Sequence, residues 1–187
     1  MRVITAPEEY TPQREDVHVF LAGGIMDCPD WQSEVIERLS RKRATDHLVV
    51  LNPRRADFPM HDPDAATEQI NWEFNWLEKC DIFSMYFSEG ESVQPICMYE
   101  LGRNILRTQI RFPEDWHKRI IVSAEHGYKR IKDVQIQTGL ACEYSVLDCY
   151  RCYDESHEDT VEAHVKMIYQ AYLLQMLDRK LFNICSY

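Results

Sequence analysis

Residues 80–103 constrain the fold more than any other stretch of the chain. They read C-D-I-F-S-M-Y-F, then S-E-G-E-S-V-Q-P, then I-C-M-Y-E-L-G-R. The apolar run ending at Phe87 mixes aromatic and β-branched residues, the profile of a strand buried on both faces. A polar loop with Gly90 follows and Pro95 closes it. A helical pattern then begins, with Ile96, Tyr99, Ile105 and Leu106 as the expected inward positions. Glu100 therefore falls in the first turn of a helix, just past the carboxyl end of a strand, where open α/β sheets bind ligands. The helix dipole there favours an ionised carboxylate. Two readings stand at this position: Glu100 caps the helix, or it faces a ligand. A capping box wants Ser or Thr at 97, and Cys97 is there. Gly102, two residues on, leaves room for a ligand or another backbone to come close.

The rest of the chain repeats the strand-then-helix grammar. Residues 1–16 read as a polar lead-in. A first strand at 17–22 runs into Gly23 and Gly24, and a helix starting in 27–30, with Pro29 in its first turn, presents Trp31, Val35, Ile36 and Leu39 on one face. The basic residues 41–43 close it, where cations suit the dipole. A second strand spans 47–51, and an irregular stretch reaches to about 65; loops of that length are often functional. In the helix over 66–79, Ile70, Phe74 and Leu77 form the expected inward face, with Gln69, Glu73 and Trp76 as an adjoining stripe. Glu73 either faces solvent or lines a pocket; spacing alone does not choose. Further on come a fourth strand at 119–123, a short helix over 128–138 ending at Gly139, an edge strand at 143–147 and a long amphipathic helix over 159–180. Alternating strands and helices predict one α/β domain with a five-stranded parallel sheet and right-handed crossovers. The expected strand order is the flavodoxin-like, Rossmann-like 2-1-3-4-5, with helices on both faces and the switch point between the first and third strands. That order gathers Gly23, Gly24, the 52–65 loop and Glu100 at one edge.

Charge and composition narrow the chemistry. A net charge of −10 over 187 residues argues against binding a nucleic-acid backbone, which needs a basic face. No apolar run reaches the length of a membrane span. The first ten residues have no signal-peptide core, so a cytoplasmic location is expected. Seven scattered cysteines fit reduced thiols in a reducing compartment. Only Cys149 and Cys152 have ligand-like spacing, and without a second pair beyond the isolated His157 and His164 no metal site is expected. The strand–Gly–Gly–helix start resembles a dinucleotide fingerprint but lacks its third glycine and its acidic partner, and there is no phosphate-binding loop motif. No cofactor is expected.

Taken in order, F-L-A-G-G-I (20–25), D-W-Q (30–32), L-N-P-R-R (51–55), Q-I-N-W-E (69–73), C-D-I-F-S-M-Y-F (80–87) and P-I-C-M-Y-E-L-G (95–102) resemble the nucleoside 2-deoxyribosyltransferase family, in its branch of short deoxyribosyltransferase-like proteins. The resemblance covers residues 17 to about 125. It implies exchange of the base of a 2′-deoxynucleoside for a free nucleobase. Glu100, the glutamate of E-L-G, would be the nucleophile at the anomeric carbon, and Glu73 would stand where bacterial members carry an acid–base aspartate. Substrate-binding positions would be Phe20, Gly23, Gly24, Ile25, Trp31, Asn52, Arg54, Gln69, Gln94 and the terminal Tyr187. The resemblance also implies a homo-oligomer in which neighbouring copies share sites.

Two departures bear on substrate choice. Gln94 stands where bacterial members have an aspartate, and Arg54 where they have a glutamine; an arginine only donates, so it would favour bases presenting acceptors. Among the aromatics, Phe20 and Trp31 are open between core and site, while Tyr86 reads as core. Two other functions compete with transfer. One is hydrolysis of a deoxynucleoside or its 5′-monophosphate, which would need a phosphate cradle that Ser88 and Ser92 alone do not make. The other is a non-catalytic nucleotide sensor, which would not need both glutamates.

Overall fold

In the computed structural model, residues 1–142, 150–153 and 159–185 are described, with side chains at 1–142 and 159–180. Six parallel strands form one sheet: β1 (Arg2–Thr5), β2 (Val17–Gly23), β3 (Leu48–Asn52), β4 (Ile82–Phe87), β5 (Ile120–Ala124) and β6 (Tyr150–Tyr153), in the order β1-β3-β2-β4-β5-β6. Five helices are α1 (Trp31–Ser40), α2 (Ala65–Lys79), α3 (Pro95–Arg111), α4 (Ile131–Cys142) and α5 (Thr160–Cys185). From β3 to β6 the flavodoxin-like order is the expected one. The addition is β1: the lead-in is not merely polar, and Arg2 to Thr5 pair with Val49 to Asn52 along the outer edge of β3. The 143–147 strand lies outside the described residues; the edge position next to β5 is taken by β6.

Every residue from Leu48 to Asn52, Ile82 to Phe87 and Ile120 to Ala124 is buried, as expected for strands covered on both sides. Alternate residues feed two cores. Val17, Val19 and Leu21 of β2 pack with Trp31, Val35 and Leu39 of α1 and with Val165, Ile168 and Tyr172 of α5. Phe20 and Ala22 face the other way, toward Trp72 and Trp76 of α2 and Cys97 and Leu101 of α3. Helix α1 begins at Trp31, later than Pro29 suggested, because the Asp30 carboxylate accepts from the Ser33 N–H at 3.1 Å and caps it. Helix α4 passes through Gly139 to Cys142 and starts at Ile131.

The inward faces of α2 and α3 differ from expectation. On α2 the buried residues are Ala65, Gln69, Trp72, Trp76 and Leu77, while Ile70 and Phe74 are exposed. On α3 they are Cys97, Leu101, Asn104 and Ile105, and Ile96, Tyr99, Leu106 and Ile110 point outward. Both helices carry two apolar stripes, and periodicity cannot say which one meets the sheet. Bulk decides for α2: its indoles fill the space over Phe20, His18 and Tyr10.

A small polar cluster is buried beside the second core. His164 of α5 is fully enclosed, with Nε2 at 2.7 Å from Ser84 Oγ and Nδ1 at 2.7 Å from Ser123 Oγ. Burial pushes its pKa down from 6.5 to about 3. The unfolded chain takes up a proton below about 6.5 and the native protein does not, so stability holds above that pH and falls as acid is added toward 3. Chemical denaturation at pH 6.5 and pH 5 is expected to show a loss of about 2 kcal/mol from this group. His164→Gln, whose amide can serve both hydroxyls, is expected to flatten that loss. An unchanged slope in the variant contradicts the assignment.

Candidate active site

The carboxyl end of β2, the loop before α3 and the first turns of α3 surround a cavity of about 220 Å³. Phe20, Ala22, Gly23, Gly24, Ile25 and Met26 line it from β2 and the turn after it; Glu73 comes from α2, Pro53 follows β3, and Ser92, Gln94, Pro95, Ile96, Cys97 and Glu100 come from the α3 side. The site sits at the switch point, between strands whose connections leave in opposite directions.

Local sequence explains why the wall holds its shape. Gly23 has φ +152°, and a β-carbon there would overlap the Tyr86 carbonyl oxygen and come within 2.6 Å of the Trp31 ring. At Gly24 a β-carbon would meet Cys28 Sγ and lie 2.7 Å from the Gln94 amide. Both glycines line the cavity, and the places their β-carbons would take are filled by Trp31 and Gln94. The Gly24 peptide is gripped on both sides. Its N–H donates to Gln94 Oε1 at 3.1 Å, and its carbonyl accepts from Trp31 Nε1 at 3.1 Å. Gln94, in a left-handed conformation (φ 48°) just before Pro95, also donates Nε2 to the Ser88 carbonyl at 2.8 Å and its own N–H to Ser92 Oγ at 3.1 Å. It ties β2 to the loop after β4.

Glu100 and Glu73 carry the charge of the cavity. Glu100 is the sixth residue of α3, beyond the first turn, so the dipole does little for it. Burial pushes its carboxyl up to about 7, Glu73 adds to the rise, and Arg103 opposes it. The expected dipole-stabilised carboxylate is therefore outweighed by desolvation. Glu73 is raised as well, by burial, against a hydrogen bond from Gln69 Nε2 to its Oε1 at 2.7 Å. Two carboxyls raised together keep a proton between them at pH values where free glutamates have none. Gly102, expected to admit a close neighbour, is exposed, with nothing within 4 Å of the place a β-carbon would take.

The other expected residues fall into two groups. Phe20, Gly23, Gly24, Ile25 and Gln94 line the cavity with the glutamates; Trp31, Asn52, Arg54 and Gln69 stand behind it. Trp31 is buried and stacks on Tyr86 at 4.8 Å. Asn52 Oδ1 accepts from the Arg54 N–H at 3.0 Å. Arg54 donates to the Pro29 carbonyl at 2.8 Å, the Cys28 carbonyl at 3.0 Å and Gln32 Oε1 at 3.1 Å. Its guanidinium is spent on the segment that leads into α1. Tyr187 lies outside the described residues, as do Cys149 and His157 and the side chain of Cys152. Among the described residues, no cluster of His, Cys, Asp or Glu is placed to hold a metal ion.

Sequence reading missed Ala22, Met26, Pro53, Ser92, Pro95, Ile96 and Cys97 as lining residues. Two of them had a signal: Ala22 shares a strand face with Phe20, and Cys97 lies three residues before Glu100 on one helix face. The Cys97 thiol is pushed up to about 12 by burial and the nearby Glu100, so it stays protonated and is no rival nucleophile.

A pair of raised carboxyls in the switch-point crevice of a parallel sheet is suited to chemistry at a sugar carbon. A sequence model described as nucleoside 2-deoxyribosyltransferase like matches residues 16–112, just over half of the chain. The chain belongs to that family. The matched span holds β2 through α3, and with them both glutamates. No curated protein sequence matches the chain.

Proposed function

We propose that this protein exchanges the base of a 2′-deoxynucleoside through a deoxyribosyl ester on Glu100, with Glu73 as the acid and then the base. The observation that carries the reading is the pair itself: two carboxyls raised by burial in one crevice. The reactive form is the one in which the proton held by the pair sits on Glu73 and Glu100 is ionised; the resting pair also places that proton on Glu100, whose carboxyl is pushed up to about 7. As the C1′–N bond breaks, its electrons pass to the base, Glu73 gives the base nitrogen a proton, and a Glu100 oxygen bonds C1′. Both carboxyls flank an oxocarbenium-like transition state. An incoming base then loses its proton to Glu73 and displaces Glu100, regenerating both groups. Water in place of the base gives hydrolysis.

Nucleosides suit the cavity better than their 5′-monophosphates. Among the described residues its lining has two carboxyls and no cationic side chain, and it offers a single hydroxyl, Ser92, where a phosphate needs several donors. Incubation with a deoxynucleoside and an excess of a second base is expected to yield the exchanged deoxynucleoside by chromatography. Strict hydrolysis with every acceptor base would refute transfer.

The reading includes a second copy of the chain. Ile96, Tyr99, Leu106 and Ile110 lie on α3 at steps of 3, 7 and 4 residues, the spacing of a helix-packing seam with Arg103 at its middle, all four exposed, and the Arg103 guanidinium covers the Phe74 ring at 4.5 Å. Ile96 belongs both to the seam and to the cavity wall, so a copy docked on α3 covers the mouth of the site. Leu106→Asp, at an exposed position, is expected to halve the sedimenting mass and leave the fold intact. A monomeric wild-type protein contradicts this.

A further inference from the structure

Gln69 occupies an odd position for a residue behind a cavity. Its amide nitrogen serves two acceptors, the Pro53 carbonyl at 2.6 Å and Glu73 Oε1 at 2.7 Å. Those partners fix the orientation of the amide, because turned over it would set an oxygen against two oxygens. Its own Oε1 is then buried without a hydrogen-bond partner. Packing alone does not account for a glutamine here, since a methionine would fill the same space and leave no stranded acceptor.

We infer that Gln69 is a positioning residue: by donating to Glu73 Oε1 it confines the transferable proton of that carboxyl to Oε2 and fixes the rotation of the group. A proton on Oε1 would meet the amide N–H head-on, so the protonated acid carries it on the other oxygen. When Oε2 gives that proton away, the charge left on the carboxylate strengthens the Gln69 bond. The amide thus eases proton loss in one half of the cycle and keeps the returning proton on the same atom. The titratable groups facing Glu73 are Glu100 and Cys97 of α3, with Arg103 acting on Glu100. Around it, β2 presents Phe20 and Ala22 and the segment after β3 presents Pro53; Arg55 pairs with Glu68, the residue before Gln69. None of these supplies a second donor to Glu73 among the described residues. The inference rests on Glu73 as the acid–base group for its consequence in turnover, but not for the placement of the proton.

The test uses the full chain with carbon-13 at the glutamate side-chain carboxyls, the Glu73 signal being assigned with Glu73→Gln. Gln69→Met is expected to raise the Glu73 titration midpoint by about one unit, because the hydrogen bond that favours its ionised form is gone. The alkaline limb of the kcat/KM profile should move up with it, and kcat should fall about 10- to 100-fold with KM little changed. Gln69→Glu keeps the length and sets an anion beside Glu73, so the midpoint should rise further. An unmoved midpoint in either folded variant overturns the inference, as does a loss of activity with the pH profile unchanged. If the wild-type protein exchanges no base, the acid assignment falls while the carboxyl titration still decides what Gln69 does.

Discussion

Glu100→Ala is expected to lower base exchange by roughly 10⁴-fold or more, with deoxynucleoside binding retained. The size follows from what the side chain does: it forms the bond that lets the old base leave before the new one enters, and no other group in the cavity can take its place. Glu73 is held by Gln69, and Cys97 keeps its proton. Glu100→Gln keeps the shape and should be as inactive, which separates charge and nucleophilicity from packing. The same variant makes an opposite prediction for stability. The native carboxyl is raised from 4.5 to about 7, so between those values the folded protein holds a proton that the unfolded chain has lost. Stability therefore falls as pH rises through that window, and the full cost stands above it. Glu100→Gln removes it and is expected to stabilise the protein by about 1 kcal/mol at pH 8, and by little at pH 4. Denaturant titrations at both pH values check this, and a variant less stable at pH 8 than the wild type contradicts it.

The second large effect lies in the wall. Gly23→Ala is expected to cost about 3 kcal/mol or more, because three things fail at once. The backbone conformation, φ +152°, is one that side chains rarely adopt. The new β-carbon overlaps the carbonyl oxygen of Tyr86, which cannot swing aside because β2 and β4 are paired through Gly23 and Tyr86. It also meets the Trp31 ring at 2.6 Å, and that indole holds the Gly24 carbonyl. Urea denaturation reads the loss, and one below about 1 kcal/mol would show that the strand end is looser than described. Activity should drop in the variant that still folds, since a shifted Gly24 peptide releases Gln94 and with it the loop before α3.

How much of this was visible beforehand depends on what kind of signal each element carries. Strands β2 to β5 announced themselves because a strand buried on both faces is an unbroken apolar run. Strand β1 did not: of its four residues only Ile4 is buried, and its place comes from pairing with β3, a long-range contact that leaves no local trace. Helices α2 and α3 were legible as helices but not in orientation, since Ile70 and Phe74, or Ile96 and Leu106, are as apolar as the residues that won the core. Asp81 shows the same limit among charged groups. It is largely buried at the start of β4, where it receives the His18 N–H at 2.8 Å and Arg179 at 2.8 Å, a network built from three distant parts of the chain. Within the site, spacing and strand order brought Glu73 and Glu100 to the sheet's carboxyl edge and left open whether either faces a pocket; both line the cavity. Their proton affinities were not legible, because burial depends on the whole wall, and Phe20 of β2 and Pro53 after β3 reach it from distant parts of the chain. Arg54 shows the same gap: spacing cannot reveal that three carbonyl-type oxygens from residues 28–32 accept from the guanidinium that was expected to donate to a base.

The deoxyribosyl ester is the step on which everything else depends, and it has a mass. Intact-protein mass spectrometry after rapid mixing with a deoxynucleoside, acceptor base withheld, is predicted to show a single deoxyribosyl adduct that peptide mapping places on Glu100 and that disappears when a base is added. Turnover with no adduct trapped, or an adduct on another residue, would contradict the account.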